Sequence, residues 1–245
     1  MTGRAFVAGG SRGIGSAVSR ALAERGADVA IGFREREREA RATARAVESL
    51  GRRALLVRGD VADGVEALVD EAAAGLGGLD AFVMCAVSPI SLPIDELGAE
   101  ELERTIAANA RPFVLGSRAA ARHMDGGGRI VALSATGAHR VRNPRYAPLA
   151  LAKGVVEAAV RFLAVSLAER GITVNAVAPG PTDTEAFHAM AEDAAALRAR
   201  LAAATPMGRM GTPEDAARLI AFLCSEDAGW ITGQLIFSDG GYSLV

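Results

Sequence analysis

The sequence predicts a single α/β domain, a doubly wound parallel sheet of about seven strands with helices on both faces. Three observations carry this. Short apolar runs alternate with longer Ala-rich amphipathic stretches along the whole 245-residue chain. No linker or internal repeat divides it, and its length suits one domain, residues 1–245, with a large core. Half of the residues are hydrophobic but only 4% are aromatic, so the core must be built from Ala, Val, Leu and Ile, as suits helices lying close on a parallel sheet.

Taken in order, the strand-like runs are 4–8, 28–33, 53–58, 80–85, 128–133, 171–177 and 234–237. Each is short, rich in β-branched or apolar residues and bounded by turn residues. Helical stretches fall between them near 14–25, 36–50, 63–76, 100–124, 147–169 and 213–223. Right-handed crossovers then wind the sheet in both directions. The Arg/Glu run from Arg34 to Arg41 reads as a solvated helix face for all but its first residue. A further helical stretch, 184–203, breaks the alternation.

The formal net charge of −2 gives no bulk attraction to nucleic acid or anionic membrane, so neither is expected as a partner. No apolar run is long enough to span a bilayer. The chain passes from Met1 straight into a strand-like run, with no leader in front of it, and the expected location is the cytoplasm. Cys85 and Cys224 lie in apolar segments without metal or redox spacing and are expected to be reduced, buried thiols. His123, His139 and His188 show no carboxylate or metal-ligand spacing, and no metal site is expected.

The first strand runs into Gly9, Gly10, Ser11, Arg12, Gly13, Ile14 and Gly15, with a helix following. Glycines there let the backbone turn sharply and approach a pyrophosphate, and the helix start supplies N–H donors and a positive dipole. This strand–glycine loop–helix order at the head of an alternating chain points to a Rossmann-type dinucleotide site. The second strand bears on which dinucleotide. An NAD site usually ends that strand with Asp or Glu on the ribose hydroxyls. Here Phe33 holds the place and Arg34 follows, with Arg12 in the glycine loop. Two guanidinium groups can clamp a 2′-phosphate, so NADPH is expected, although Glu35 stands nearby. Asp60, followed by Val61, admits two readings: an acceptor for the adenine amino group, or a helix N-cap.

With these motifs the chain resembles the short-chain dehydrogenase/reductase family over essentially its whole length. Gly9, Gly13 and Gly15 match the family's glycine spacing, and Asn109 its structural and catalytic Asn. The segment from Asn175 to Pro179 and Gly180 matches the stretch that passes the nicotinamide, and Thr184 the Thr beyond it; Thr182 and Ala86 join the expected cofactor contacts. The chain departs from the pattern in three places. Met84-Cys85-Ala86-Val87 stands where the family has Asn-Asn-Ala-Gly. Ala135 holds the usual catalytic Ser position, leaving Ser134 either as the hydroxyl or as strand-end packing. Leu149 stands four residues before Lys153, where the family has its Tyr; Tyr146 lies seven before.

Seven residues are nearly two helical turns, so Tyr146 and Lys153 can share a face, but the rise between them is ~10 Å instead of ~6 Å. Pro148 fits only near a helix start, which places Tyr146 just ahead of the helix. This spacing, with Ser134-Ala-Thr-Gly-Ala-His-Arg140, is similar to the enoyl-acyl-carrier-protein reductases of the family. Asp183-Thr-Glu-Ala-Phe187 and the Ser243-Leu-Val end resemble their type III, NADPH-using members, although one more residue separates Ser134 from Tyr146. The resemblance implies hydride delivery to Cβ of an enoyl thioester or enone. Tyr146 would then hydrogen-bond the enolate oxygen and Lys153 bind the nicotinamide ribose.

A carbonyl reductase is the alternative within enzymes, and a catalytically silent NADPH-binding interaction protein the alternative of another class. Segment 181–206 reads either as a lid over the substrate, with Phe187, Met190 and Leu197 lining an acyl slot, or as an amphipathic helix packing its own face. Arg140, Arg142 and Arg145 suit either a phosphopantetheine phosphate or acidic carrier protein, or a solvated loop. The resemblance further implies a homotetramer.

Overall fold

The computed structural model describes residues 3–88, 90–185, 187 and 193–245. The strands are β1 (Gly3–Ala8), β2 (Ala27–Phe33), β3 (Ala54–Arg58), β4 (Ala81–Met84), β5 (Gly128–Leu133), β6 (Ile172–Pro179) and β7 (Leu235–Ser238). They form one sheet in the order β3-β2-β1-β4-β5-β6-β7, every neighbouring pair parallel. The winding reverses between β1 and β4, which opens a crevice at the carboxyl ends of those two strands.

The helices are α1 (Gly13–Glu24), α2 (Glu37–Ser49), α3 (Val61–Leu76), α4 (Ala99–Asn109), α5 (Arg111–Arg122), α6 (Ala147–Leu167), α7 (Ala194–Ala203) and α8 (Pro213–Leu223). Strand side chains alternate between faces, so Phe6 and Val7 enter different cores. Phe6, Phe82, Phe113 and Ile130 pack beneath α3, α5 and α6, with the Phe6 and Phe82 rings stacked at 5.8 Å. Val7, Leu22, Ile31 and Ile220 pack with α1 and α8 on the other face. Burying each such side chain contributes roughly 1.5–3 kcal/mol, and the two layers fix the sheet between them.

All seven expected strands are present, with corrections to two helices. Of the stretch expected as a helix at 184–203, α7 spans Ala194–Ala203, starting from the extended N-cap Asp193. The stretch read as a single helix, 100–124, is two: the chain turns at Ala110 (φ −107°, ψ −51°), and α5 begins with Pro112 in its first turn. Pro112 lacks the N–H that a continuing helix needs, and its ring crowds the carbonyl four residues back. Within 181–206, α7 buries no residue, and Leu197 is half-buried. Phe187 is half-buried too, whereas Met190 and His188 lie outside the described residues. Among the described residues no helix is long and apolar enough to cross a membrane.

Candidate active site

A cleft of about 730 Å³ lies at the sheet's switch point. Gly9, Ser11, Arg12, Gly13, Ile14 and Gly15 form one wall. Arg34, Asp60 and Val61 form the second, and Ala86, Thr184 and Leu133 close the far end. Glu185, Arg104, Arg111 and Cys85 also line it, and none of these four was singled out from the sequence for the cofactor.

The loop after β1 is held from below. Gly10 N donates to Gly32 O at 2.9 Å, and Thr43 Oγ1 donates to Ser11 O at 3.0 Å. Gly9 has φ +80°, and a Cβ there would stand 2.6 Å from Ala86 N, so the chains leaving β1 and β4 meet at a point only glycine fits. A Cβ on Gly15 would collide with the Gly9 carbonyl. Arg12, the N-cap residue of α1, makes no side-chain cap, and no acidic residue stands in the first turn. The first-turn N–H groups and their dipole are thus left for an anion. Thr184 lies beside Gly13, 3.7 Å from where a Cβ would be. These features fit a dinucleotide pyrophosphate.

Arg34 reaches across the second wall. Its Nη1 donates to Asp60 Oδ2 at 3.1 Å, and its Nε pairs with Glu35 at 3.2 Å. Asp60 Oδ1 meanwhile accepts from Ala62 N at 2.9 Å, so this residue does cap α3. The Ala62 amide first, and Arg34 after it, hold the Asp60 carboxyl below the usual range. Glu35 pairs with the adjacent guanidinium instead of standing alone at the ribose position.

Tyr146 closes a 3-10 turn, Pro144–Tyr146, directly in front of α6. Its ring lies against Gly137, and burial pushes its phenol up to about 12. Lys153 is 4% exposed, two turns along α6, and its Nζ donates to Leu133 O at 2.7 Å. Burial brings its ammonium down to about 8. Neither Tyr146 nor Lys153 lines the cleft itself; Lys153 approaches it through Leu133, which does. Pro179, Gly180 and Thr182 also stand outside the cleft wall, at the end of β6: Gly180 N donates to Ser238 O at 3.1 Å and Thr182 Oγ1 to Gly180 O at 2.9 Å.

Asn109 is buried. Its Oδ1 accepts from Ser88 N at 2.9 Å, and its Nδ2 donates to Ser88 O and Thr105 O, both at 3.0 Å. The side chain is therefore spent on fixing the loop after β4 to α4. Ser134 is turned away from the cleft, its hydroxyl donating to Glu157. Of its two sequence readings, the geometry is that of strand-end packing. Two histidines read as lacking a carboxylate partner have one: His123 Nε2 meets Asp70 at 2.7 Å, and His139 Nε2 meets Glu157 at 2.8 Å. Both partners are distant in sequence, beyond the reach of short-range spacing. Arg140 and Arg142 donate to the carbonyls of Ser243 and Tyr242 at 2.7 and 3.1 Å, and Arg145 to Ser91 O at 3.1 Å. They tie the loop before Tyr146 to the chain end and to the segment after β4. Both thiols are buried, which pushes each up to about 12.

Residues 8–243 match the family model described as enoyl-(acyl carrier protein) reductase. The 1-cyclohexenylcarbonyl-CoA reductase of Streptomyces collinus is 41% identical over 244 residues, covering 98% of this chain and 86% of the relative. The cis-4-hydroxycyclohexanecarboxylate dehydrogenase of Sinomonas cyclohexanicum is 41% identical over 247 residues, with 98% and 96% covered. The solved short-chain dehydrogenase/reductase of Serratia marcescens superposes with a TM-score of 0.91 at 37% identity, covering 98% of this chain and 97% of that one. The chain is an oxidoreductase with a site for a nicotinamide cofactor, and it belongs to the short-chain dehydrogenase/reductase family.

Proposed function

We propose that this enzyme uses NADPH to reduce the C=C bond of an α,β-unsaturated thioester or enone. The observation that carries the reading is the seven-residue spacing of Tyr146 and Lys153, with Tyr146 ahead of α6. Tyr146 stands in the turn ahead of α6, and the position four before Lys153 is a buried leucine, Leu149. A ketone reductase must protonate the oxygen on the carbon that accepts hydride. In an enoyl reductase, negative charge develops on an oxygen two carbons away from that carbon, so the donor must be displaced. Tyr146, seven residues from Lys153, is displaced in that sense.

Bound NADPH supplies the hydride. The first turn of α1 binds its pyrophosphate, and Arg12 and Arg34 clamp the 2′-phosphate, Arg34 exchanging Asp60 and Glu35 for it. Lys153 binds the nicotinamide ribose and holds positive charge near the developing enolate. Tyr146, half-buried and so protonated well above neutral pH, donates to the enolate oxygen. Water or Tyr146 supplies the α-proton. Asn109 holds the loop after β4, and Thr184, at the cleft, borders the nicotinamide, with Pro179, Gly180 and Thr182 behind it at the end of β6.

The acyl group is carried on coenzyme A or a carrier protein. The exposed Phe162, Val165 and Trp230 are faces that a homotetramer would cover. A second reading, oxidoreduction at a ring carbonyl or alcohol, is favoured by the hydroxycyclohexanecarboxylate dehydrogenase among the relatives. Following NADPH loss with crotonyl and acetoacetyl thioesters separates the two. Faster loss with the crotonyl thioester, abolished in Tyr146→Phe, supports the first reading; faster loss with the acetoacetyl thioester supports the second.

A further inference from the structure

The proposed chemistry leaves one buried carboxylate unused. Glu157 lies on α6 one turn after Lys153, on the same side of the helix. Burying a carboxylate is costly unless its oxygens are satisfied. Here each oxygen has a partner within reach: Oε1 accepts from the Ser134 hydroxyl, and Oε2 stands 2.8 Å from His139 Nε2. The His139 ring stands edge-on to Phe237 of β7 at 5.2 Å.

Ser134 and His139 are the two ends of one arc between β5 and the loop that leads to Tyr146. Both groups of the proposed chemistry depend on that arc. Leu133, immediately before it, provides the carbonyl that receives Lys153 Nζ. Gly137, inside it, is the surface against which the Tyr146 ring rests. A single carboxylate therefore pins both ends of the segment that seats the phenol and the ammonium.

We infer that Glu157 is a positioning residue: by bracing Ser134 and His139 it sets Tyr146 relative to Lys153. This rests on the reading of Tyr146 and Lys153 as the groups that act on substrate and cofactor. Glu157→Leu removes both contacts. Glu157→Gln keeps an acceptor for Ser134 and offers an N–H to His139. The expected result for Glu157→Leu is a kcat lowered at least about tenfold, with the NADPH Kd within about twofold of wild type. The isotope effect from deuterium at the transferred position of NADPH rises as hydride transfer becomes rate-limiting. Glu157→Gln restores kcat to within about threefold. If Glu157→Leu does not fold, Ser134→Ala and His139→Phe each remove one arm, and the same pattern is expected at smaller size.

An unchanged kcat in Glu157→Leu, or in both single-arm variants, overturns the brace, as does a Glu157→Gln as impaired as Glu157→Leu. Tyr146→Phe assayed alongside separates the two failures. Lost turnover there beside unaltered Glu157→Leu removes the brace alone. Unchanged turnover in Tyr146→Phe removes the reading of the phenol and with it the brace's target.

Discussion

The Tyr146 ring lies so close to Gly137 that a methyl group built on that Cα would stand 2.5 Å from its Cδ1 and 2.6 Å from its Cε1. The phenol thus owes its place to a missing side chain nine residues earlier in the chain. Gly137→Ala must push the ring off its seat, at an overpacking cost of about 1–3 kcal/mol if the ring holds its place. Turnover is expected to fall at least about tenfold, while NADPH binding, measured by its fluorescence, stays within about twofold. Unchanged turnover would show that the ring's position does not matter.

On the proposed reading, the guanidinium groups of Arg12 and Arg34, both exposed at the cleft, select NADPH by its 2′-phosphate. Replacing both by Ala should raise the KM for NADPH by about 10–100-fold, because two charge-assisted contacts to a phosphate are lost. The KM for NADH should change little. Steady-state kinetics with each cofactor checks this, and a wild-type preference for NADH would count against the clamp.

Burial lowers the Lys153 ammonium from its usual range to about 8. A lowered pKa in a base means that charge is lost as pH rises through that lower value. The pH profile of kcat/KM for NADPH, which reports the free enzyme, is therefore expected to fall by about tenfold per unit above pH 8. A profile that stays flat to pH 10 would separate the Lys153 charge from activity.

Asp215 caps α8 through a reciprocal capping box with Thr212 and is paired with Arg209 at 2.6 Å. Arg209 first, and the Thr212 amide after it, lower its carboxyl to about 2. A depressed carboxylate stabilises the fold fully above its unfolded pKa, near 4, and loses that contribution as pH falls towards 2. Asp215→Ala should cost about 1–2 kcal/mol at pH 7. The difference in Tm from wild type should shrink in acid, below pH 4. The region concerns the site too, because Gly211, next to Thr212, bridges to Thr182 behind the cleft.

What the sequence revealed was local. Alternation of short apolar runs with Ala-rich stretches placed the strands, because side-chain period and length distinguish strand from helix within a few residues. The glycine loop and Arg34 were legible for the same reason: each acts through its own backbone or neighbours. The break between α4 and α5 was signalled by Pro112 but hidden by apolar periodicity running on through it. The Ser134–Glu157–His139 contacts had no such signal. They join residues 18 to 23 positions apart that only the packing of α6 against the end of β5 brings together. For the same reason Arg104 and Arg111 of α4 and α5 appear at the cleft only once the helices are in place.

In the proposed reaction Tyr146 serves an oxygen remote from the carbon that takes the hydride. A cyclic enone offers both carbons in one molecule, so the position of deuterium after turnover with NADPH deuterated at the transferred site tests it most directly. Deuterium at Cβ of a saturated ketone, seen by NMR, is the predicted result. Deuterium on the carbinol carbon of an allylic alcohol would contradict it.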